Sequence, residues 1–197
     1  MIELRIHGRG GQGAVLASLV IAQAAHRTGR HVQVFPEFGV ERRGVPVTAF
    51  ARVDEKPIRV RTKILNPDHV VVLDPALART VPVTDGLKRG GSLVLNAPGA
   101  EALAPFRGKG FRLFWVDATS IAAKHKIGTT TAPIVNSTMV GAVARATGLY
   151  APAVIGPSMD EVLGEKGPRN TAAALEAFEA LREVEDGALT AVPAGAN

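Results

Sequence analysis

Ile2-Glu3-Leu4-Arg5-Ile6-His7-Gly8-Arg9-Gly10-Gly11-Gln12-Gly13 opens the chain, and its reading decides the fold class. Ile2, Leu4 and Ile6 alternate with polar residues, which is the period of a strand. The glycines end that strand. From residue 14 to about 27, Val15, Leu16, Leu19, Val20 and Ala24 recur at helical spacing, and Gly29 supplies a stop. Residues 31–35 are strand-like again. Gly8, Gly10 and Gly13 satisfy G-x-G-x-x-G between a strand and a helix, where glycines allow a tight turn and the helix N-terminus offers free N–H groups to an anion. Gly8, Gly10, Gly11, Gln12 and Gly13 are therefore candidate cofactor-binding residues of an anion-receptive turn. Glu37, just past the second strand, lies near where a ribose-binding acid is expected. The same glycines also fit a crowded turn that binds nothing.

Downstream, residues 47–53 and 58–61, separated by Asp54-Glu55-Lys56-Pro57, resemble a β-hairpin inserted after the second strand. Residues 69–74, 93–95 and 111–116 are nearly continuous apolar runs, as in parallel strands covered on both faces. Helices are expected at 84–88, 118–124 and 133–147, the last between Pro133 and Gly148. A further helix runs from a cap at Asn170 to about residue 184, with Leu175, Phe178 and Leu181 on one face. The alternation predicts an α/β fold, Rossmann-like, with a mostly parallel sheet flanked by helices. Residues 1–184 are expected to form one domain and 185–197 a flexible tail.

Composition narrows the chemistry. The 197 residues are 46% hydrophobic, with formal net charge +5 and no cysteine. Without thiols the chain offers no disulfide, thiolate nucleophile, cysteine zinc site or iron–sulfur ligand, so any redox role needs a bound cofactor or another polypeptide. His7, His26, His31, His69 and His125 show no metal-ligand spacing. Asp74 and Asp117 stand alone at strand ends, where Asp74 suits a cap followed by Pro75, and no catalytic constellation is visible. Residues 15–25, the best apolar stretch, contain Ser18 and Gln23 and are too short to span a membrane; with no signal peptide at the start, the expected location is the cytoplasm.

Positive charge is concentrated early. Residues 1–63 carry 11 Lys/Arg against 5 Asp/Glu, and residues 151–197 carry 3 against 8. Trp115 and Tyr150 are the only Trp and Tyr, too few for base-stacking platforms, which argues against nucleic acid. Glu37, Glu41, Arg42 and Arg43, flanked by Phe35 and Phe38, occupy a Pro/Gly-rich loop at the carboxyl end of a strand, where α/β sheets place ligand contacts. The loop suits either an internal salt-bridge cluster or an interface whose arginines grip phosphate or carboxylate. Thr129-Thr130-Thr131 and Asn136-Ser137-Thr138 could reach a ligand at a helix start, or serve only turns and caps.

Taken together, the glycine turn, Phe35-Pro36-Glu37-Phe38-Gly39-Val40-Glu41-Arg42-Arg43-Gly44-Val45-Pro46, Val71-Val72-Leu73-Asp74-Pro75 and Pro133-Ile134-Val135-Asn136-Ser137-Thr138-Met139-Val140-Gly141-Ala142 closely resemble the gamma subunit of 2-oxoacid:ferredoxin oxidoreductases. The resemblance extends to about residue 184. It implies a non-catalytic subunit of a cytoplasmic hetero-oligomer with alpha, beta and delta partners. Thiamine diphosphate and Mg would lie between alpha and beta, iron–sulfur clusters in delta, with coenzyme A as acyl acceptor and ferredoxin as electron acceptor. Glu41-Arg42-Arg43-Gly44-Val45-Pro46 looks like the pyruvate type, with Val45 where glycine or alanine is usual. Glu37, Glu41, Arg42, Arg43 and Asn136 are then implied at a subunit interface or coenzyme entrance. The rival reading is a free-standing NAD(P)-binding oxidoreductase.

Overall fold

The computed structural model describes residues 1–37, 44–129 and 131–184. Phe38, Glu41, Arg42 and Arg43 of the charged loop, and the expected tail at 185–197, lie outside the described residues.

Among the described residues, seven strands form one sheet in the order β2-β3-β1-β4-β5-β6-β7. They are β1 (Ile2–Arg9), β2 (His31–Glu37), β3 (Pro46–Asp54), β4 (His69–Val72), β5 (Ser92–Asn96), β6 (Arg112–Val116) and β7 (Arg182–Val184). β1, β4, β5 and β6 pair in parallel, while β3 runs antiparallel to both β1 and β2, and β7 antiparallel to β6. The α/β class is as expected, and the sheet is mixed but mostly parallel. β1, α1 (Ala14–His26) and β2 form a crossover whose two strands are parallel yet not adjacent, because β3 fills the gap between them.

Strand alternation assigns the two faces. Leu4 and Ile6, Ala49, Ala51 and Val53, Val71, Val94, and Phe114 and Val116 point to one side, against α1, α3 (Ala118–Lys124), α4 (Asn136–Thr147), α5 (Ile155–Leu163) and α6 (Gly167–Ala180). On the other side Val70, Val72, Leu93, Leu95 and Leu113 pack against Leu77 of the short α2 (Leu77–Thr80), Val83, Leu87, Leu103 and Phe106. This second layer stops at β4. Beyond it the same face of β1, β3 and β2 is built of polar and aromatic rows set by the antiparallel register: Glu3, Arg52 and Gln33; Arg5, Phe50 and Phe35; His7, Thr48 and Glu37.

Four expectations are corrected. The hairpin partner of residues 46–54 is β2, not residues 58–61, which leave the sheet as the Val60 carbonyl, with that of Thr62 just beyond, bonds to the buried Arg52. Residues 84–88 turn rather than coil into a helix: Gly86 takes φ 72, and a side chain there would run into the Leu65 carbonyl. Helix α4 starts at Asn136, since Pro133 is held in a bridge with Gly128. Asn170 lies inside α6, which begins at Gly167 with Pro168 in its first turn; the helix ends at Ala180, and the extended Leu181 leads into β7.

Helices α4 and α6 meet through Gly141, where a Cβ would collide with the Ala174 carbonyl. Helix propensity favours alanine over glycine by about 1 kcal/mol, but overpacking costs about 1–3 kcal/mol, and here the second effect wins. Gly141→Ala is therefore expected to lower the melting temperature and the urea midpoint; an unchanged or raised midpoint would show that the helices can separate without cost.

Candidate functional site

The glycine turn stands at the carboxyl end of β1, beside the end of the parallel strand β4, and its geometry follows from a few named bonds. Gly8 has no room for a side chain, since a Cβ would press on Ala14 and Leu73 at 3.2 Å each, so α1 can approach β1 and the chain after β4 closely. Gly11 (φ 92) and Gly13 (φ 76) take left-handed conformations that other residues adopt only with strain. The turn also continues the β1–β3 pairing: Gly10 donates its N–H to the Val45 carbonyl at 2.9 Å, and Gly44 donates to the Gly10 carbonyl at 3.1 Å.

Side chains tie the turn to Asp74. The Arg9 Nε donates to Asp74 Oδ2 at 2.6 Å, the Gln12 side-chain amide donates to the same oxygen at 3.2 Å, and Asp74 Oδ1 accepts the Ala76 N–H at 2.8 Å. Gln12 Oε1 in turn accepts the Arg9 N–H at 2.8 Å, and Arg9 Nη1 reaches the Gly44 carbonyl at 3.0 Å. Burial pushes the Asp74 carboxyl up, but the bonds from Ala76, Arg9 and Gln12 and the Arg9 charge outweigh it and hold it below the usual carboxylate range. Asp74 is thus more than a local cap. Sequence reading missed its role because the contact spans 65 positions; the available signal was that Asp74 ends a strand expected in the same mostly parallel sheet as the first.

Gly13 and Asn136 come together. The Asn136 side chain lies where a Cβ on Gly13 would be, and it is 5% exposed, with its Oδ1 accepting the Ser137 N–H at 2.7 Å. The N-termini of α1 and α4 therefore abut. In α1 the first intrahelical bond is Ala17 N–H to Gly13 O, and no side chain caps the start, so the N–H groups of Ala14, Val15 and Leu16 have no acceptor within the helix. Two adjacent helix starts, each with roughly half a positive charge, favour an anion.

Glu37 is not brought to the turn. In a dinucleotide fold the second strand adjoins the first, whereas here β3 separates them, putting Glu37 in the His7 row two strands away, about 9–10 Å. Its carboxylate is paired with Lys63 Nζ. Glu41, Arg42 and Arg43 lie outside the described residues. No cysteine is present to ligate an iron–sulfur cluster, and among the described residues no three His, Asp or Glu side chains are grouped so as to hold a metal ion. Among the described residues no helix is long and apolar enough to cross a membrane.

The comparisons with known proteins agree with this arrangement. The model of the pyruvate ferredoxin/flavodoxin oxidoreductase family matches residues 3–180. The chain belongs to that family. It is 52% identical over 182 residues to the "Pyruvate/ketoisovalerate oxidoreductases common subunit gamma" of Pyrococcus abyssi, covering 91% of this chain and 96% of that protein. It is 45% identical over 185 residues to the pyruvate synthase subunit PorC of Methanothermobacter thermautotrophicus, covering 93% and 98%. Among solved structures, pyruvate oxidoreductase subunit PORC of Thermotoga maritima superposes with a TM-score of 0.78 at 33% identity, covering 93% and 98% of the two chains. The resemblance drawn from the motifs is borne out: this is a gamma-type subunit of a pyruvate or 2-oxoacid ferredoxin oxidoreductase.

Beneath the turn, His7 is buried, and its Nε2 accepts a hydrogen bond from Arg5 Nε at 3.1 Å, so the ring is neutral with its proton on Nδ1. Burial first, and the Arg5 charge second, push His7 down from the ordinary 6.5 to about 3. Between those values the unfolded chain binds a proton that the folded chain refuses, so stability is lost as pH falls through that window. His7→Gln, which keeps an acceptor for Arg5, is expected to flatten the acid limb of stability between pH 6.5 and 4 in urea unfolding; an unchanged slope would remove His7 as its source. Asp74→Ala leaves Arg9 and Gln12 without their shared acceptor and is expected to cost about 1–3 kcal/mol, with faster amide exchange at Gly10 and Gln12. Exchange unchanged at those amides would mean that the turn holds its shape without Asp74.

Proposed function

We propose that the chain works in the cytoplasm as the gamma subunit of a pyruvate:ferredoxin oxidoreductase, assembled with alpha, beta and delta subunits. The complex would convert pyruvate, coenzyme A and oxidised ferredoxin to acetyl-CoA, carbon dioxide and reduced ferredoxin. The iron–sulfur clusters would belong to the partners, since this chain offers no thiolate, and thiamine diphosphate with its Mg would lie between alpha and beta, as the family resemblance implies. Its own task is positioning. The observation that carries the reading is the pair of helix starts meeting at Gly13 and Asn136 beside the glycine turn, a fixed anion-receptive corner at the carboxyl edge of the parallel strands. Gly8, Gly10, Gly11, Gln12, Gly13 and Asn136 would face the phosphates of coenzyme A or the approach to them, and Glu37, Glu41, Arg42 and Arg43 the neighbouring subunit or the coenzyme entrance. Such groups lower a barrier by placing the acceptor correctly, without making bonds themselves.

The NAD(P) alternative is weakened by the wedge of β3, which withdraws Glu37 from ribose reach. Calorimetric titration of the isolated chain with nicotinamide dinucleotides is expected to show no micromolar binding; a micromolar isotherm would favour that rival. Co-purification of the tagged chain is expected to recover thiamine-binding and ferredoxin-like subunits. In the reconstituted complex, Arg42→Ala with Arg43→Ala is expected to weaken assembly or to raise the apparent KM for coenzyme A severalfold at little change in kcat. Unchanged assembly together with unchanged kinetics would sink the role given to this loop.

A further inference from the structure

Between β3 and β4 the chain crosses the polar face of the sheet as an irregular strap, residues 55–66, held from below. Arg52, 1% exposed, donates through Nη1 to the Val60 carbonyl at 3.3 Å and through Nη2 to the Thr62 carbonyl. Ile64 is buried at 1% and anchors the far end. The Val60 and Thr62 carbonyls both face the guanidinium, the chain bends at Thr62, and the same stretch carries Arg59, Arg61 and Lys63. Those three side chains are exposed.

Lys63 is paired with Glu37, whereas Arg59 and Arg61 have no hydrogen bond or ion pair among the described residues. Two of the large apolar side chains that stand in solvent also lie here, Val60 at 42% and Leu65 at 66% exposure. Unpaired guanidinium groups interleaved with exposed aliphatic side chains, on a strap fixed in advance, make a surface that loses little entropy on docking. Arginine suits such a place: it is weakly hydrated and grips carboxylates bidentately.

We propose that this strap is a docking surface for the carboxylate-rich face of a partner subunit, with Arg59 and Arg61 as its charged contacts and Val60 and Leu65 as its apolar ones. Charge complementarity identifies the occupant. A nucleic acid fits less well, because residues 55–66 contain no aromatic side chain to stack on bases. The inference rests on the proposed role of the chain in a hetero-oligomer and adds the surface through which it joins.

The test measures association of the full-length chain with the co-expressed remaining subunits of the complex by interferometry at low and high salt. Wild type is expected to bind with an affinity that falls as salt rises, Arg59→Glu with Arg61→Glu to bind at least tenfold more weakly, and Arg59→Lys with Arg61→Lys to stay within a fewfold of wild type. Circular dichroism and thermal melting verify the fold of each variant, and Arg59→Gln with Arg61→Gln replaces the reversal variant if that one fails to fold. Equal binding by the reversal or neutral variant overturns the docking surface while leaving the gamma-subunit role intact. Undiminished assembly with lost retention on duplex DNA or RNA overturns it in favour of nucleic acid. Failure of wild type itself to bind those subunits overturns the proposed function, and this inference with it.

Discussion

A full positive charge sits where almost no water reaches it, at Arg52 near the end of β3, and much of this half of the molecule is arranged to satisfy it. Leaving such a charge unpaired costs several kcal/mol, so its burial demands close partners. Glu3 on β1 accepts from Nε at 2.9 Å, Gln33 on β2 and the Val60 carbonyl accept from Nη1 at 3.0 and 3.3 Å, and the Thr62 carbonyl accepts from Nη2, so four of the five N–H groups are bonded by these partners. The guanidinium also lies 5.1 Å from the centre of the Phe35 ring, which is stacked on Phe50 at 5.2 Å. One side chain thereby joins three strands and the strap that covers them. Breaking this network by removing a partner would be costly, whereas replacing it wholesale with apolar residues need not be.

The same register explains how the fold can look like a dinucleotide-binding domain and not be arranged as one. G-x-G-x-x-G needs only a strand, a turn and a helix, all local in sequence. Ribose recognition needs the second strand beside the first, and β3 takes that place by pairing with both. The acid that would hold a ribose is carried one strand outward and spent on Lys63. What remains at the carboxyl edge is a rigid corner: two helix starts in contact, and a turn closed by Gln12 and braced by Asp74. Arg9 balances the Asp74 carboxylate, so the brace adds little net negative charge beside the helix starts.

This arrangement suits a chain with no cysteine. Its family carries out redox chemistry in a multi-subunit enzyme, and the features found here are surfaces and a scaffold. Positive charge early in the sequence is divided between a buried arginine that organises the sheet, an arginine that braces the turn and arginines that face outward on the strap. Net charge alone could not have separated those three uses, because they differ in what lies opposite each guanidinium.

Local pattern settled much of this protein from sequence alone. The alternation of Ile2, Leu4 and Ile6, the apolar runs at β4, β5 and β6, the helical spacing after Gly13 and the G-x-G-x-x-G turn are all short-range signals, and each produced its element. The motifs also carried the family. Tertiary structure alone decided the rest, because the deciding contacts are non-local. Ile58-Arg59-Val60-Arg61 alternates as a strand does, yet the demand of Arg52 for carbonyls draws it onto the face of the sheet, and β2 takes the edge instead. Asn136 and Gly13 meet because α4 packs on α1, and Asp74 reaches Arg9 because parallel pairing sets the ends of β1 and β4 side by side. Periodicity says which residues turn inward; only the packed chain says which of them face one another.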